Sequence, residues 1–277
     1  MSTSPSLTQQ AGRSALWQVG GGAWLTFVRL GASVILARQL TPADYGVFGM
    51  ALLLRELIQQ LGGLGMGAGV IAKKNVTNED LCTCYWTMAG VQFFLFAMTI
   101  SCAPLGGWFF NDPRVTNVVR AISVGFLFSI LGNVSYMLLI KELKFKAVNI
   151  IRGALALLES GVAIALVLTT DLGYWVLVIA MMVNSLLFSI AVFGVVRWVP
   201  KFKFSKESFR YMFRYGINGL GFNIINYLKQ NLDYLLVGRL LGTASLGLYE
   251  FAYRIPHMVQ DRISRPVGSV VFPALSK

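Results

Sequence analysis

The sequence predicts an all-α protein that crosses a membrane several times. Its 277 residues are 56% hydrophobic and only 13% charged, whereas a soluble domain carries about 25% charged residues. The mean hydropathy is +0.64, and apolar runs recur along the whole chain. Many of these runs approach the roughly 20 residues that a helix needs to cross the hydrocarbon core. The runs are continuous and not alternating, which disfavours a membrane β-barrel.

The apolar runs predict eight membrane helices in chain order. They cover residues 15–37, 45–71, 84–108, 115–140, 149–168, 172–196, 215–237 and 246–272. Arg13 is the single charged residue before the first run, and no small-residue cleavage pattern follows a short apolar core. We therefore expect a retained first helix, and not a signal peptide that is removed.

The basic residues indicate which loops face the cytoplasm. The net charge is +12, and counting the loops on alternate sides of the predicted helices gives 13 lysines and arginines on one side against 3 on the other. Loops rich in Lys and Arg stay in the cytoplasm. This predicts a cytoplasmic amino terminus and cytoplasmic loops at 141–152 and 197–214. The same asymmetry explains the positive charge without a nucleic-acid partner.

An internal repeat lies in the loops on the opposite, outer side. Residues 38–52 read RQLTPADYGVFGMAL and residues 239–253 read RLLGTASLGLYEFAY, at a constant offset of 201. The matched pairs are Arg38 with Arg239, Leu40 with Leu241, Ala43 with Ala244, Gly46 with Gly247, Phe48 with Tyr249, and Ala51 with Ala252. Six predicted helices separate the two copies, so both copies have the same orientation. Such a parallel repeat is typical of transporters built from two similar lobes.

The repeat predicts a division of the chain into two lobes. Residues 1–200 form an N-terminal lobe of six helices, and residues 201–277 form the first two helices of a second lobe. The basic stretch from Arg197 to Ser208 is expected to link them on the cytoplasmic side. Because position 277 corresponds to position 76 in the repeat, we expect four further helices in a complete second lobe. We also expect residues 1–277 alone not to transport.

Charged residues at membrane depth are the candidate functional residues, because charges there usually face a cavity or one another. A polar stripe on predicted helix 8 and a polar row on helix 7 (Asn223, Asn226, Gln230 and Asp233) indicate a hydrated cavity between the lobes. The alternative is pairing within each helix at four-residue spacing. The candidate substrate-binding residues are Arg29, Arg55, Lys229, Asp233, Arg254 and Arg265. The candidates for coupling to Na⁺ or H⁺ are Glu159, Asp233 and Asp261.

The sequence contains no motif that predicts catalysis or a cofactor. A zinc-hydrolase motif, a Walker loop and a nucleophile elbow are all missing. Cys82-Thr-Cys84 lacks a second cysteine pair or a nearby histidine, so we expect no metal site there. The protein is therefore expected to be a transporter and not an enzyme.

Three segments of the chain resemble the Wzx-like polysaccharide flippases of the multidrug/oligosaccharidyl-lipid/polysaccharide exporter superfamily. They are LARQLTPADYG at 36–46, LGGLGMGAG at 61–69, and NLDYLLVGRLLGTASLGLYEFAYRI at 231–255. The resemblance implies two lobes around a central cavity in the bacterial inner membrane. It also implies the outward movement of undecaprenyl-pyrophosphate-linked oligosaccharides for lipopolysaccharide or exopolysaccharide synthesis. The expected partners are then the lipid-linked oligosaccharide, membrane lipid and other polysaccharide-assembly proteins.

Two other functions remain open from the residues themselves. A MATE-like exporter of small organic cations would share the two-lobe plan, and an acid-dominated cavity would favour it. A membrane glycosyltransferase or polymerase of the same pathway should carry large outer loops with acidic catalytic residues. The outer loops predicted here are short, which favours a transporter.

Overall fold

The computed structural model of the protein describes residues 28, 30–62, 66–73, 75–217 and 220–259. Within these ranges the regular elements are all helices, which confirms the predicted all-α membrane fold. In chain order they are α1 (30–39), α2 (Pro42–Gly62), α3 (Met66–Ala72), α4 (Asn78–Phe110), α5 (Pro113–Lys141), α6 (Phe145–Thr169), α7 (Trp175–Val196), α8 (Lys206–Ile217) and α9 (Leu220–Val259).

Four of these helices, α4 to α7, are long and apolar enough to cross a membrane. Local signals in the sequence fix where two of them begin. Thr77 caps α4, and the side chain of Asp80 accepts a hydrogen bond from the Thr77 N–H in return. Asp112 caps α5, and Pro113 occupies its first turn, where the missing N–H has no partner to lose. The described fold is therefore that of a multi-pass membrane protein.

The structure differs from the predicted helices between predicted helices 7 and 8, and a glycine explains the difference. Of the helix predicted over 45–71, the structure describes α2, which ends at Gly62, and α3, which begins at Met66. The loop expected between helices 7 and 8 is replaced by a bend inside α9. That bend lies at Gly242, with φ 83° and ψ −176°, a backbone conformation that residues with a Cβ rarely adopt. A single glycine thus reverses the local direction of the helix.

The main apolar core joins α2, α4, α5 and α7. Met50, Val118 and Val178 are buried there, and Leu246 reaches the same cluster from α9. The second part of α9 is therefore packed onto the helices of the first predicted lobe, with α2 as its main neighbour.

Contacts between helix ends define an outer end of the bundle, named from the charge-based prediction. The Tyr174 N–H before α7 donates to Asp44 Oδ1 near the start of α2, over 3.2 Å. The Arg239 guanidinium donates to the carbonyl oxygen of Trp108 near the end of α4, over 3.3 Å. The starts of α2 and α7, the end of α4 and the bend of α9 therefore lie together.

The opposite, inner end gathers the remaining loops. Lys141 Nζ at the end of α5 donates to the carbonyl oxygen of Val70 in α3, over 2.8 Å. The Ser208 hydroxyl of α8 donates to Asp80 Oδ1 at the start of α4, over 2.6 Å. This grouping agrees with the predicted alternation of loops between two sides. Which end faces the cytoplasm stays a prediction.

Candidate functional site: a polar seam between α2 and α9

The outer end of the α2–α9 contact is a crossing at which two glycines let the backbones meet. A Cβ added at Gly46 of α2 would overlap the carbonyl group of Thr243 in α9. A Cβ added at Gly247 of α9 would overlap the carbonyl group of Pro42 in α2. Small residues permit such close approach between membrane helices. We call these four residues the glycine crossing.

The glycine crossing is reciprocal under the sequence repeat. Gly46 corresponds to Gly247 at the offset of 201, and Pro42 corresponds to Thr243. Replacing each residue by its repeat counterpart therefore turns the contact of Gly46 with Thr243 into the contact of Gly247 with Pro42. This is the pattern of a two-fold interface, in which contacts occur in exchanged pairs. The two copies of the repeat meet face to face at this point.

A small cavity of about 170 Å³ follows the crossing towards the inner end. It combines acidic, amide and phenol side chains from both helices, and Glu250 Oε2 lies 3.1 Å from the position of a Cβ on Gly49. The lining residues are Gly49, Leu52, Leu53, Glu56, Asn231, Tyr234, Leu246 and Glu250. The seam is thus polar immediately below the glycine crossing.

A larger cavity of about 530 Å³ lies nearer the inner end, and the described residues that line it are all amides or tyrosine. We call it the amide pocket. The Tyr227 hydroxyl donates to the carbonyl oxygen of Leu53 over 2.7 Å and so ties the pocket to α2. The lining residues are Gln60, Asn223, Asn226, Tyr227, Gln230 and Asn231. Each carboxamide offers two donors and an acceptor, so the pocket suits a neutral ligand rich in hydroxyl groups.

A third cavity, of about 590 Å³, lies among α1, α2, α6 and α7. It contains Arg55, Glu56 and Glu159, and Asn184 of α7 adds an amide. Since Glu56 also lines the small cavity of the seam, the Arg55–Glu56 pair lies between the seam and this third cavity.

Arg55 is held by contacts that leave part of its guanidinium without a hydrogen bond. Its Cζ lies 4.8 Å from the ring centroid of Phe126, within the range of a cation–π interaction. Its Nε is buried and has no hydrogen-bond partner among the described residues. A buried donor without a partner is costly, and an anionic group or a water molecule in the cavity would satisfy it.

The comparison with known families decides what kind of protein contains this seam. The family of polysaccharide biosynthesis proteins matches residues 35–277. The chain belongs to this family. The chain is similar to the teichuronic acid biosynthesis protein TuaB of Bacillus subtilis (strain 168), with 26% identity over 276 residues, 99% of this chain and 57% of that protein.

Two further relatives carry names from polysaccharide biosynthesis. The lipopolysaccharide biosynthesis protein WzxC of Escherichia coli (strain K12) is 26% identical over 98% of this chain and 56% of its own length. The succinoglycan biosynthesis transport protein ExoT of Rhizobium meliloti (strain 1021) is 23% identical over 98% of this chain and 54% of its own length. The chain thus spans about half the length of these relatives. No solved structure matches it significantly.

The structure separates the residues that the sequence predicts to bind substrate. Arg55 lines the third cavity together with Glu159, whereas Lys229 is exposed and lines none of the three cavities. Asp233 accepts a hydrogen bond from the Tyr249 hydroxyl over 2.8 Å, between the two parts of α9. Arg29, Asp261, Arg265 and the side chain of Arg254 lie outside the described residues.

Sequence reasoning missed two features of the site. The polar row of helix 7 is visible from the spacing of Asn223, Asn226 and Gln230, but nothing in the spacing shows that Gln60 of α2 faces it. The match of Gly46 with Gly247 is visible as a repeat, but not as a contact. Among the described residues, no group of three His, Cys, Asp or Glu side chains is placed to hold a metal ion.

Proposed function

We propose that this protein carries lipid-linked oligosaccharide units from the cytoplasmic to the periplasmic leaflet of the bacterial inner membrane, for polysaccharide biosynthesis. The units are undecaprenyl-pyrophosphate-linked, as in the flippases that the sequence resembles. The protein acts as a transporter and makes no covalent change in its substrate. Family membership and the similarity to ExoT, a succinoglycan biosynthesis transport protein, support this proposal.

The observation that carries the proposal is the asymmetry of the α2–α9 seam along its length. Backbones meet at the glycine crossing, so the outer end is closed. The amide pocket lies towards the inner end and offers uncharged donors and acceptors to sugar hydroxyls. Arg55, with its unpartnered Nε, is suited to a phosphate oxygen because a guanidinium binds oxyanions through parallel hydrogen bonds. Separate places thus exist for a sugar and for a charged head group.

The reciprocal crossing also supports the two-lobe division. Residues 1–200 form the N-terminal lobe, and residues 201–277 begin a second lobe related to it by a local two-fold axis. The amino terminus and the basic loops are cytoplasmic, so the amide pocket is reached from the cytoplasm. In this arrangement the glycine crossing closes the path to the periplasmic side. Membrane lipid and other polysaccharide-assembly proteins are the expected further partners.

One observation favours a second function, the export of small organic cations. Among the described residues that line the third cavity, Glu56 and Glu159 stand against one arginine, Arg55. Acidic residues at membrane depth also bind coupling cations. In the first proposal these acids couple the transport of substrate to Na⁺ or H⁺. In the second they bind the exported cation itself.

Complementation with the intact natural gene product distinguishes these functions. The test compares Arg55→Ala with the control Arg38→Ala, an exposed arginine at the end of α1. Both are expressed in a strain that lacks its own flippase, and surface polysaccharide is measured alongside protein level. We expect Arg55→Ala to lower export at least tenfold with unchanged protein level, and Arg38→Ala to export normally.

Ethidium accumulation in the same strains measures the second function, because ethidium is an organic cation. Normal polysaccharide export in Arg55→Ala would contradict the role of Arg55. Restored ethidium resistance without restored polysaccharide in the wild-type complement would replace the first function with the second. Labelling of a cysteine at position 203 by an impermeant reagent added to intact cells would overturn the proposed orientation.

A further inference from the structure

The segment between α7 and α9 is a built surface at the inner end of the bundle. We call residues 197–214 the linker surface. Its start follows α7 directly, and it is fastened to the start of α4 by side-chain hydrogen bonds. Both α7 and α4 are candidate membrane spans. The linker surface therefore lies at the inner ends of two helices that are long and apolar enough to cross a membrane.

Hydrogen bonds from two tryptophans attach the first part of the linker surface. Trp198 Nε1 donates to Asn78 Oδ1 over 3.0 Å, and Trp86 Nε1 donates to the carbonyl oxygen of Lys201 over 3.0 Å. The Phe202 ring stacks on Trp86 with a centroid separation of 4.7 Å, yet Phe202 is 91% exposed. An apolar ring is thus held on the outside of the protein by a specific contact.

A buried carboxylate attaches the second part of the linker surface. Asp80 is 2% exposed and accepts from the Ser208 hydroxyl of α8 over 2.6 Å. The same carboxylate forms an ion pair with Lys73 at 2.8 Å. The Ser205 N–H donates to Thr83 Oγ1 over 2.9 Å. These contacts fix both the position and the rotation of α8 against α4.

The fixed rotation exposes a row of bases. Ser208 and Met212 are buried, whereas Lys206, Arg210 and Arg214 are exposed. At about 100° per residue these three bases fall within an arc of roughly 80° on one face of the helix. The linker surface carries six lysines and arginines against one acid, Glu207.

Aromatic rings lie next to the row of bases. Phe204 packs on Phe209 at 5.9 Å between ring centroids, and Phe209 stacks on Phe213 at 5.6 Å. Phe204 is 58% exposed. Basic residues beside exposed aromatic rings are typical of helices that lie in the membrane interface. In such a helix the rings enter the boundary of the acyl chains, and the bases stay at the level of the head groups.

We propose that the linker surface binds the head groups of anionic phospholipids in the leaflet at the inner end. The anionic lipids of the same membrane are its occupant, because the surface is basic, apolar at its edge and held at the boundary of that membrane. Juxtamembrane clusters of Lys and Arg attract anionic lipids strongly. The binding would hold the linker, and with it the start of α9, at a fixed depth. It does not depend on which molecule the seam carries.

The test counts lipids retained by the purified, intact protein. The protein is kept in a mild detergent, supplied with equal amounts of phosphatidylglycerol and phosphatidylcholine, and examined by native mass spectrometry. The variant Lys206→Gln/Arg210→Gln is compared with Lys144→Gln/Lys146→Gln, which removes two exposed bases at the junction of an inner loop with α6. Thermal unfolding of each variant shows that both remain folded.

Wild-type protein should retain phosphatidylglycerol in preference to phosphatidylcholine. The α8 variant should lose that preference by roughly fivefold per base removed, and the loop variant should keep it. Equal retention by wild type and the α8 variant would overturn the proposal. Equal loss in both variants would show a general effect of charge and would also overturn it. Displacement of phosphatidylglycerol by inorganic pyrophosphate at matched ionic strength would point to a free-phosphate site instead.

Discussion

The outer and inner ends of the α2–α9 seam are built in different ways from the same two helices. At the outer end the contact is made by backbone against backbone, and Gly46 and Gly247 make the approach possible. At the inner end the helices are held apart around the amide pocket, and the Tyr227 hydroxyl reaches across to the carbonyl oxygen of Leu53. Backbone atoms thus make the contact at the outer end, whereas side chains line the inner end.

The repeat extends to the first of these ends and not to the second. Gly46 and Pro42 have counterparts in Gly247 and Thr243, but the counterparts of Asn223, Asn226 and Gln230 at the offset of 201 are Gly22, Leu25 and Arg29. The glycine crossing is thus formed by a surface that both copies of the repeat share. The polar row of the proposed binding site, by contrast, belongs to α9 and has no polar amide counterpart in the first copy.

The largest effect should come from filling the glycine crossing. Gly247→Ala places a methyl group on the carbonyl group of Pro42, so the helices must move apart. We expect a loss of about 1–3 kcal/mol in the free energy of unfolding, the usual cost of overpacking, together with loss of polysaccharide export. Gly221→Ala is the matched control, because its added Cβ meets nothing within 4 Å on the same helix. Similar unfolding curves for the two variants would refute the close crossing.

A smaller effect is expected in the amide pocket. Asn226→Leu keeps the approximate size of the side chain but removes its donors and acceptor. If a sugar hydroxyl binds there, the loss of one hydrogen bond of about 1 kcal/mol should lower export roughly fivefold. The control is Ile225→Leu, which changes an exposed neighbour outside the pocket and should leave export unchanged. Unaltered export by Asn226→Leu would remove this residue from the proposed binding site.

The outer end also shows how far sequence reasoning reaches. The sequence predicts the ends of helices α4 to α7 to within six residues, because each is a long apolar run and hydropathy detects such runs directly. It predicts an ordinary loop where the structure has the bend at Gly242. The bend is short because Gly242 adopts an unusual backbone conformation and because α9 packs against α2. An apolar pattern predicts neither of these.

The inner end illustrates the other limit. The basic stretch after α7 is predicted as a linker, but its attachment to the start of α4 through Asp80 and Trp86 joins residues more than one hundred positions apart. Likewise, the polar row of α9 is visible in the sequence, while its partner Gln60 is not. Periodicity predicts which face of a helix is polar, and it carries no information on which other helix meets that face. The two-lobe division stays a prediction.

A test of the contact that joins α2 and α9 at the inner end is Tyr227→Phe. The variant keeps the ring and removes the hydroxyl group that donates to Leu53. Because Tyr227 is buried, we expect a loss of about 0.5–1.5 kcal/mol in the free energy of unfolding, measured by denaturation in detergent. Tyr211→Phe, at an exposed position of α8, is the control and should be neutral. A neutral Tyr227→Phe would mean that the inner end of the seam is held together without this bond.

The smallest effect should be a dependence of stability on acid at the outer end. Asp112 lines a cavity there with Arg239, beside the glycine crossing. Burial alone would raise the pKa of Asp112, but hydrogen bonds from the Arg114 side chain and N–H outweigh burial and lower the pKa from the ordinary value of 3.8. A carboxylate with a lowered pKa in the folded state stabilises the fold above its ordinary pKa. That stabilisation is lost as the pH falls from 3.8 through the lower folded value.

The variant Asp112→Asn isolates this contribution. It keeps a residue suited to capping α5 but removes the titration, so its stability should vary less over that acidic range. Because the Arg114 side chain is 45% exposed, solvent screens the pair and the difference should be small. Parallel acid-unfolding curves for wild type and Asp112→Asn would show that the outer end is held by the glycine crossing without help from this ion pair.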